Sequence, residues 1–178
     1  MKIIMKRYKF VILLAFIDIV VAAIYPSIGL KSIKITWGST WEMLSVIPPI
    51  FILLGLLDVW VERETMIKLM GEQSGLLGVA LAFFLGSAAA GPLYAAFPLA
   101  GVLLKKGSKL SNVLIFIGAW STTKVPLLLF EATAMGWRFM ILRFLIDIPG
   151  IALIAYVTEK LLSDKEKQHI YDSAIAVE

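Results

Sequence analysis

Long apolar runs alternate with short polar segments along the chain, a pattern typical of helices that cross a membrane. The runs cover Phe10–Tyr25, Met43–Val61, Gly75–Leu104, Leu110–Ala134 and Phe139–Val157. A helix needs about 20 apolar residues to cross the hydrocarbon core of a bilayer, so most runs have the length of one span. We therefore expect an all-α integral membrane protein with four to five transmembrane helices, a single transmembrane domain over residues 1–162 and a polar C-terminal tail over residues 163–178.

Two segments need a separate interpretation. The N-terminus has a basic start and an apolar run, as a signal peptide does, but Asp18 lies inside the run and no clear cleavage site follows it. We expect a retained first span. The segment Val61–Glu72 mixes apolar residues with charges and predicts a short helix that lies on the membrane surface.

The third run is too long for one upright span and too short for two. Gly75–Leu104 would form a helix about 45 Å long. Its middle is GSAAAGPLYAAFPLAG, Gly86 to Gly101, where glycines and prolines replace the bulky apolar residues of the flanks.

These glycines and prolines predict a turn at membrane depth. Pro92 and Pro98 each remove a backbone donor, and Gly86 and Gly91 permit unusual dihedral angles and close backbone approach. We expect the turn of a re-entrant hairpin made of two half-helices, buried in protein or lining a cavity. The alternative is a kinked, tightly packed span in which Ser87-x-x-x-Gly91 is a small-xxx-small pair.

The distribution of basic residues bears on the same choice. If there are five spans, the third run crosses once and the N-terminus is inside, the basic residues other than Lys124 divide eight against eight. If the run returns to its starting side, the division is twelve against four, which the positive-inside rule favours. The twelve are Lys2, Lys6, Arg7, Lys9, Arg63, Lys68, Lys105, Lys106, Lys109, Lys160, Lys165 and Lys167, and the four are Lys31, Lys34, Arg138 and Arg143. This arrangement predicts a cytoplasmic N-terminus in the plasma membrane, whereas the even division would suit a homodimer of opposed orientations.

The fourth run is also interrupted, at GAWSTTKVP. Pro126 disturbs the helix about one turn earlier, where Ser121, Thr122 and Thr123 stand beside Lys124. A lysine near mid-depth is costly, and it usually faces a cavity or a partner. The segment predicts a site that attracts an anion or couples to an ion. The alternatives are that Lys124 pairs with an acid, or that its chain reaches the interface.

Few acids are available near the middle of the membrane. Asp18 lies in the first run and Asp147 in the last, and both are candidates for ion coupling. Glu131 lies seven residues after Lys124, on the same helix face. Arg143 and Asp147 are four residues apart, and we expect them to form a structural ion pair.

Two consecutive broken membrane segments are the best sequence indication of a transporter binding site. The candidate residues for substrate binding and translocation are Gly86, Ser87, Gly91, Pro92, Tyr94, Pro98, Ser121, Thr122, Thr123, Lys124, Pro126 and Glu131. We expect a secondary permease that moves a small molecule or ion through a midplane site. The alternative is a non-transporting membrane subunit or scaffold in which the small residues serve helix packing.

Composition excludes several other classes. The chain is 60% hydrophobic and 17% charged with mean hydropathy +0.88, so its main partner is the lipid bilayer. It has no cysteine and a single histidine, so we expect no metal site and no cofactor. The net charge of +4 comes with no basic, aromatic-interleaved face, so we expect no nucleic-acid partner. It has no nucleotide-binding or hydrolase motif, so we do not expect an enzyme.

The string LGSAAAGPLYAAFPLAGVLLKKGSKLSNVLIFIGAWSTTKVPLLLFE resembles the signature region of small predicted permeases, and the similarity extends from about Ile47 to Lys160. These are related to the larger permease family that includes organoarsenical efflux proteins. The larger relatives are about twice as long, with two similar halves, so the resemblance implies a homodimer. They carry a cysteine in the turn before the matching proline. This chain has no thiol there, so arsenical transport is not implied.

Overall fold

A computed structural model describes residues 8–89 and 91–175. These residues are mostly helical and include no strand, which confirms the all-α prediction. The helices are α1 Lys9–Ile24, α2 Pro26–Trp60, α3 Arg63–Met70, α4 Gly75–Ala88, α5 Ala96–Lys105, α6 Leu110–Thr122, α7 Val125–Ala134, α8 Trp137–Leu161 and α9 Asp164–Ile175. Lys2, Lys6 and Arg7 lie outside the described residues.

Two stretches of the described chain are long and apolar enough to cross a membrane. They are Leu110–Ala134, which contains α6 and α7, and Trp137–Leu161, which is α8. A third is added if α3 and α4, which meet at a bend of 105°, count as one broken span. The chain is therefore a membrane protein by helix length and composition, and the larger number of four to five spans stays a prediction.

The chain divides into two compact units, residues 1–48 and 49–178. In the first unit, α1 packs on the beginning of α2. A Cβ atom added to Gly29 would overlap Ala22, and the hydroxyl of Ser32 donates to both carboxylate oxygens of Asp18 at 3.0 Å. No residue of α1 is buried, so its apolar side chains are free to contact lipid. Helix α2 continues without interruption through the polar segment between the first two apolar runs.

In the second unit, α4 and α6 run parallel. At their beginnings, the backbone amide of Lys109 and the side-chain amide of Asn112 both donate to the carbonyl of Met70, at 2.8 and 2.9 Å. At their ends, the hydroxyls of Ser87 and Thr123 are 2.8 Å apart. Helix α5 connects the two and must run in the opposite direction. Helices α4 and α5 therefore form a hairpin, with its foot at residues 70–74 and 106–109 and its tip at Gly91 and Pro92.

Small residues permit the close approach of α4 and α6. A Cβ atom added to Gly86 would overlap the carbonyl oxygen of Phe116 and lie 2.7 Å from the Cβ atom of Ala119. At the tip, Gly91 has φ +116°, a conformation that residues with a Cβ atom rarely adopt, and Pro92 then begins a short 3₁₀ turn. The predicted turn between two half-helices is thus present as a helical hairpin.

The C-terminal half closes the second unit. Helix α8 returns along α6 and α7, so its end lies near the hairpin foot, where Glu159 is 3.6 Å from Lys109. The predicted polar tail contains helix α9. The tail helix is docked on the foot, where the hydroxyl of Tyr171 donates to the carbonyl of Ser108 at 3.0 Å.

The packing of Gly86 leads to the first prediction. Gly86→Ala adds a methyl group where no space exists, and overpacking of this kind costs about 1–3 kcal/mol. The matched control is Gly101→Ala in α5, where nothing lies within 4 Å of the added atom. Unfolding in detergent, followed by tryptophan fluorescence, should show a loss for the first variant and no loss for the second. Equal stabilities of the two variants would contradict the close approach of α4 and α6.

Candidate functional site

The two predicted interruptions meet in the structure. The carbonyl oxygen of Gly91 at the hairpin tip accepts a hydrogen bond from the ammonium group of Lys124 at 3.1 Å and one from the indole of Trp120 at 3.3 Å. Lys124 belongs to the interruption between α6 and α7, so the tip and this interruption form one polar region. We call Thr123 and Lys124 the break.

The break has a local cause. Thr123 has φ −112° and ψ 15°, and Lys124 is extended with ψ 137°. Pro126 follows at the start of α7, where its missing amide proton is tolerated. Because Lys124 is extended, the last carbonyl groups of α6 lose the amide donors that a continuous helix would provide.

The hydroxyl groups at the break are mostly occupied by their own helix. Thr123 is fully buried, and its hydroxyl donates to the carbonyl of Ala119 at 3.1 Å. A hydroxyl has one proton, so Ser87 must then donate to Thr123 across the 2.8 Å contact between α4 and α6. Thr122 donates to the carbonyl of Gly118 at 2.9 Å. Ser121, in contrast, is exposed.

The charged groups behind the break centre on Arg143 of α8. Its Nε donates to Oε2 of Glu131 at 2.8 Å, its Nη2 donates to the carbonyl of Thr122 at 2.6 Å, and its Nη1 lies 3.0 Å from Oδ2 of Asp147. The predicted Arg143–Asp147 ion pair is therefore confirmed. Glu131 is buried, at 8% exposure, and lies on α7.

Lys124 and Glu131 do not pair, although sequence spacing places them on one helix face. Lys124 lies in the break, before α7 begins, so it does not share a helix face with Glu131. Glu131 forms its ion pair with Arg143 instead. Among the described residues Lys124 has no ion pair, and its ammonium group donates to Gly91. Asp18 belongs to the first unit, where Ser32 is its partner, and its proposed role beside Asp147 stays a prediction.

The remaining candidates lie around the tip. Pro92 is half-buried, while Tyr94, at 39% exposure, and Pro98 are exposed on the hairpin. Pro126 is exposed at the start of α7. In the described part of the chain, no group of three metal-binding side chains lies close enough to hold a metal ion.

Sequence analysis missed two contributors to this region. Trp120 is 3% exposed, packs edge-on against Phe116 with ring centroids 5.5 Å apart, and donates to the tip. A buried indole needs a hydrogen-bond acceptor, so the position of Trp120 beside the hydroxyl residues could have indicated a polar contact at this site. Arg143 was assigned a structural pair, but its bond to the carbonyl of Thr122 has no signature in residue spacing.

The hairpin foot carries its own charge cluster. Lys109 lies 3.1 Å from Glu72 and 3.6 Å from Glu159. The hydrogen bond to Glu72, helped by the charge of Glu159, raises the pKa of Lys109 above its ordinary 10.5. Burial, followed by the charges of the two carboxylates, raises the pKa of Tyr171 above 10.0. Both groups therefore keep their protons more firmly in the folded protein than in the unfolded chain.

The foot predicts a loss of stability at high pH. A group whose pKa is raised by folding contributes stability that is fully present below the unfolded pKa and lost as pH rises through the folded pKa, so the foot should weaken above about pH 10. The phenolate absorbance of the folded protein minus that of Tyr171→Phe isolates one of the five tyrosines. Its midpoint should lie above pH 10.0, and a midpoint at or below that value would contradict the buried contact.

The chain was also compared with known proteins. The chain matches the family described as "Predicted permease" over residues 30–174 of its 178 residues, a range that contains the hairpin, the break and the foot. Searches of curated proteins and of solved structures gave no significant match. Because the match covers most of the chain, this membrane protein belongs to the predicted permease family.

Proposed function

We propose that the chain is a secondary permease that moves a small polar or anionic solute through a site between the hairpin tip and the break. Family membership supports a permease in general terms. The observation that carries the finer proposal is that two broken segments meet on the carbonyl of Gly91, with Lys124 beside it. Interrupted helices that meet in this way form the solute sites of many secondary transporters.

The electrostatics at the tip suit an anion. Helices α5 and α7 both begin there, and the N-terminus of a helix carries a partial positive charge. The ammonium group of Lys124 adds a full charge and makes no ion pair among the described residues. A solute anion would form a stronger, charge-assisted bond to this ammonium than the carbonyl of Gly91 does. We therefore propose that the solute replaces Gly91 as the partner of Lys124.

The geometry of the second unit supports a re-entrant hairpin. Helix α4 has 14 residues, or about 21 Å, whereas the stretch from Leu110 to Ala134 has 25. The hairpin begins and ends beside the start of that longer stretch, and its tip reaches the break partway along it. A hairpin of this length would enter the membrane and return to the same side.

The charges at the two ends of the second unit support an orientation. Most of its basic residues belong to the foot or to elements that end there, and Arg138 lies toward the other end. The basic residues of the foot and of the helices that end or dock there are Arg63, Lys68, Lys105, Lys106, Lys109, Lys160, Lys165 and Lys167. We propose that the protein lies in the plasma membrane. By the positive-inside rule, the foot and the C-terminal helix α9 face the cytoplasm. A cytoplasmic N-terminus is proposed on the same rule from the sequence.

Two further parts of the proposal concern assembly and coupling. The larger relatives have two similar halves, so we propose that two copies of this chain form the working permease. Asp147, half-buried beside Arg143, is the proposed ion-coupling group of the second unit, and Asp18 that of the first. The scaffold alternative draws on the same close packing, since the hydroxyls of Thr122 and Thr123 are already bonded within α6.

Topology can be measured directly because the chain has no cysteine. Single cysteines would replace Gln73 at the foot, Asp164 at the start of α9 and Met135 at the turn between α7 and α8, all exposed residues. In intact cells an impermeant maleimide should label the cysteine at position 135, and permeabilised cells should be needed for positions 73 and 164. Labelling of positions 73 and 135 from the same side would contradict the re-entrant hairpin.

Transport itself is tested with Lys124→Met in proteoliposomes. The probes are phosphate, sulfate, acetate and lactate, and the readout is the current on a solid-supported membrane. Loss of a charge-assisted hydrogen bond costs about 1.5–3 kcal/mol, so the apparent affinity for the transported anion should fall roughly tenfold to a hundredfold. Arg138→Gln, an exposed arginine of α8, is the matched control and should leave the current unchanged.

The scaffold alternative predicts a different pattern. Lys124→Met would then be harmless, while Gly91→Leu, which forces a branched side chain into φ +116°, would break assembly. An unchanged anion current in folded Lys124→Met would contradict the proposed site. A Gly91→Leu chain that also assembled normally would remove the scaffold alternative as well.

A further inference from the structure

Arg143 contacts two other segments and one residue of its own helix at once. Its bonds reach the carbonyl of Thr122 at the end of α6 at 2.6 Å and the carboxylate of Glu131 on α7 at 2.8 Å, and the third contact, to Asp147, stays within α8. The two hydrogen bonds and the ion pair use three different nitrogen atoms of the guanidinium group. The break is therefore held from the side of α8 by one residue.

The carbonyl of Thr122 has a specific need for this donor. In a continuous helix the amide of residue 126 would donate to it, but residue 126 is proline and has no amide proton. A carbonyl left without a partner inside a membrane protein costs free energy that no water molecule offsets. The guanidinium group of Arg143 occupies the place of the missing proton.

We propose that Arg143 is the positioning residue of the break: its guanidinium group caps the carbonyl of Thr122 in place of the amide proton that Pro126 lacks, and so holds Thr123 and Lys124 against the hairpin tip. The importance of this role for transport rests on the proposed function, in which the break lines the solute site. The capping itself is independent of any solute.

The chemistry requires arginine. A guanidinium group has five donors in a planar fork, so it reaches acceptors in three directions, whereas the ammonium group of a lysine is a single point. The cap also neutralises the negative end of the α6 dipole beside Thr122. An uncapped carbonyl there would repel an anion bound next to Lys124.

The test uses disulfide formation between the tip side and the break. Cysteines would replace Ser87 and Thr123, whose hydroxyls are 2.8 Å apart, in a chain with no other cysteine. The purified, folded protein is oxidised for different times and then denatured, because position 123 is fully buried, and the loss of maleimide–polyethylene glycol labelling gives the rate of oxidation. It is compared among the parent pair, Arg143→Gln, Arg143→Lys and the control Arg138→Gln.

Arg143→Gln should form the disulfide roughly tenfold more slowly than the parent, because losing a hydrogen bond to a charged group costs more than about 1.5 kcal/mol. Arg143→Lys should restore only part of the parental rate of disulfide formation, and Arg138→Gln should show the parental rate. A merely stabilising residue would lower the folded yield without changing this rate. A parental rate in folded Arg143→Gln would overturn the proposal.

A second arm covers the case in which Arg143→Gln does not fold. In Pro126→Ala the chain can form a continuous helix through the break, in which the amide of residue 126 donates to Thr122, so adding Arg143→Gln should lower the folded yield less than it does with Pro126 present. An equal loss in both backgrounds would overturn the proposal. Neither arm measures flux, so a protein that behaves as described and fails to transport would contradict the proposed function and leave the role of Arg143 intact.

Discussion

The constraint on which the second unit depends is that backbone carbonyl groups inside a membrane protein need donors from the protein itself. Breaking two helices creates such carbonyls in one region. The chain supplies side-chain donors from elsewhere: Lys124 and Trp120 bond to Gly91, and Arg143 bonds to Thr122. Each donor comes from a segment other than that of its acceptor. The hydrogen bonds that satisfy the interruptions are thus the same bonds that join the hairpin, the break and α8.

The two ends of the hairpin are held by different kinds of contact. At the foot, Lys109 connects Glu72 and Glu159, and Tyr171 of α9 bonds to Ser108. At the tip, the contacts across the interface are single hydrogen bonds to Gly91 and one bond between hydroxyl groups. The foot is thus held by ion pairs and a tyrosine hydrogen bond, and the tip by hydrogen bonds alone.

Sequence alone predicted the elements that depend on local chemistry. The hairpin turn followed from Gly91 and Pro92, the break from Pro126, and the Arg143–Asp147 pair from helical spacing. The partner of Glu131 could not be predicted in the same way. Spacing along a continuous helix favours Lys124 as the partner of Glu131, but the helix is interrupted between the two residues. Glu131 instead pairs with Arg143 of α8, and the periodicity of apolar residues does not specify how α8 packs on α7. The docking of α9 was missed for the same reason: the polar tail has no apolar pattern that would indicate a tertiary contact.

The charges around the break are balanced in number but not in position. Glu131 and Asp147 both lie on Arg143, so that group carries one more negative than positive charge when both carboxylates are ionised. Lys124 carries the compensating positive charge on the opposite side of the break, where its ammonium group meets a neutral carbonyl. A charge separated in this way costs free energy in a low-dielectric region. Under the proposed function, an anion bound at Lys124 and a coupling cation bound beside the carboxylates would each reduce this cost from its own side of the break.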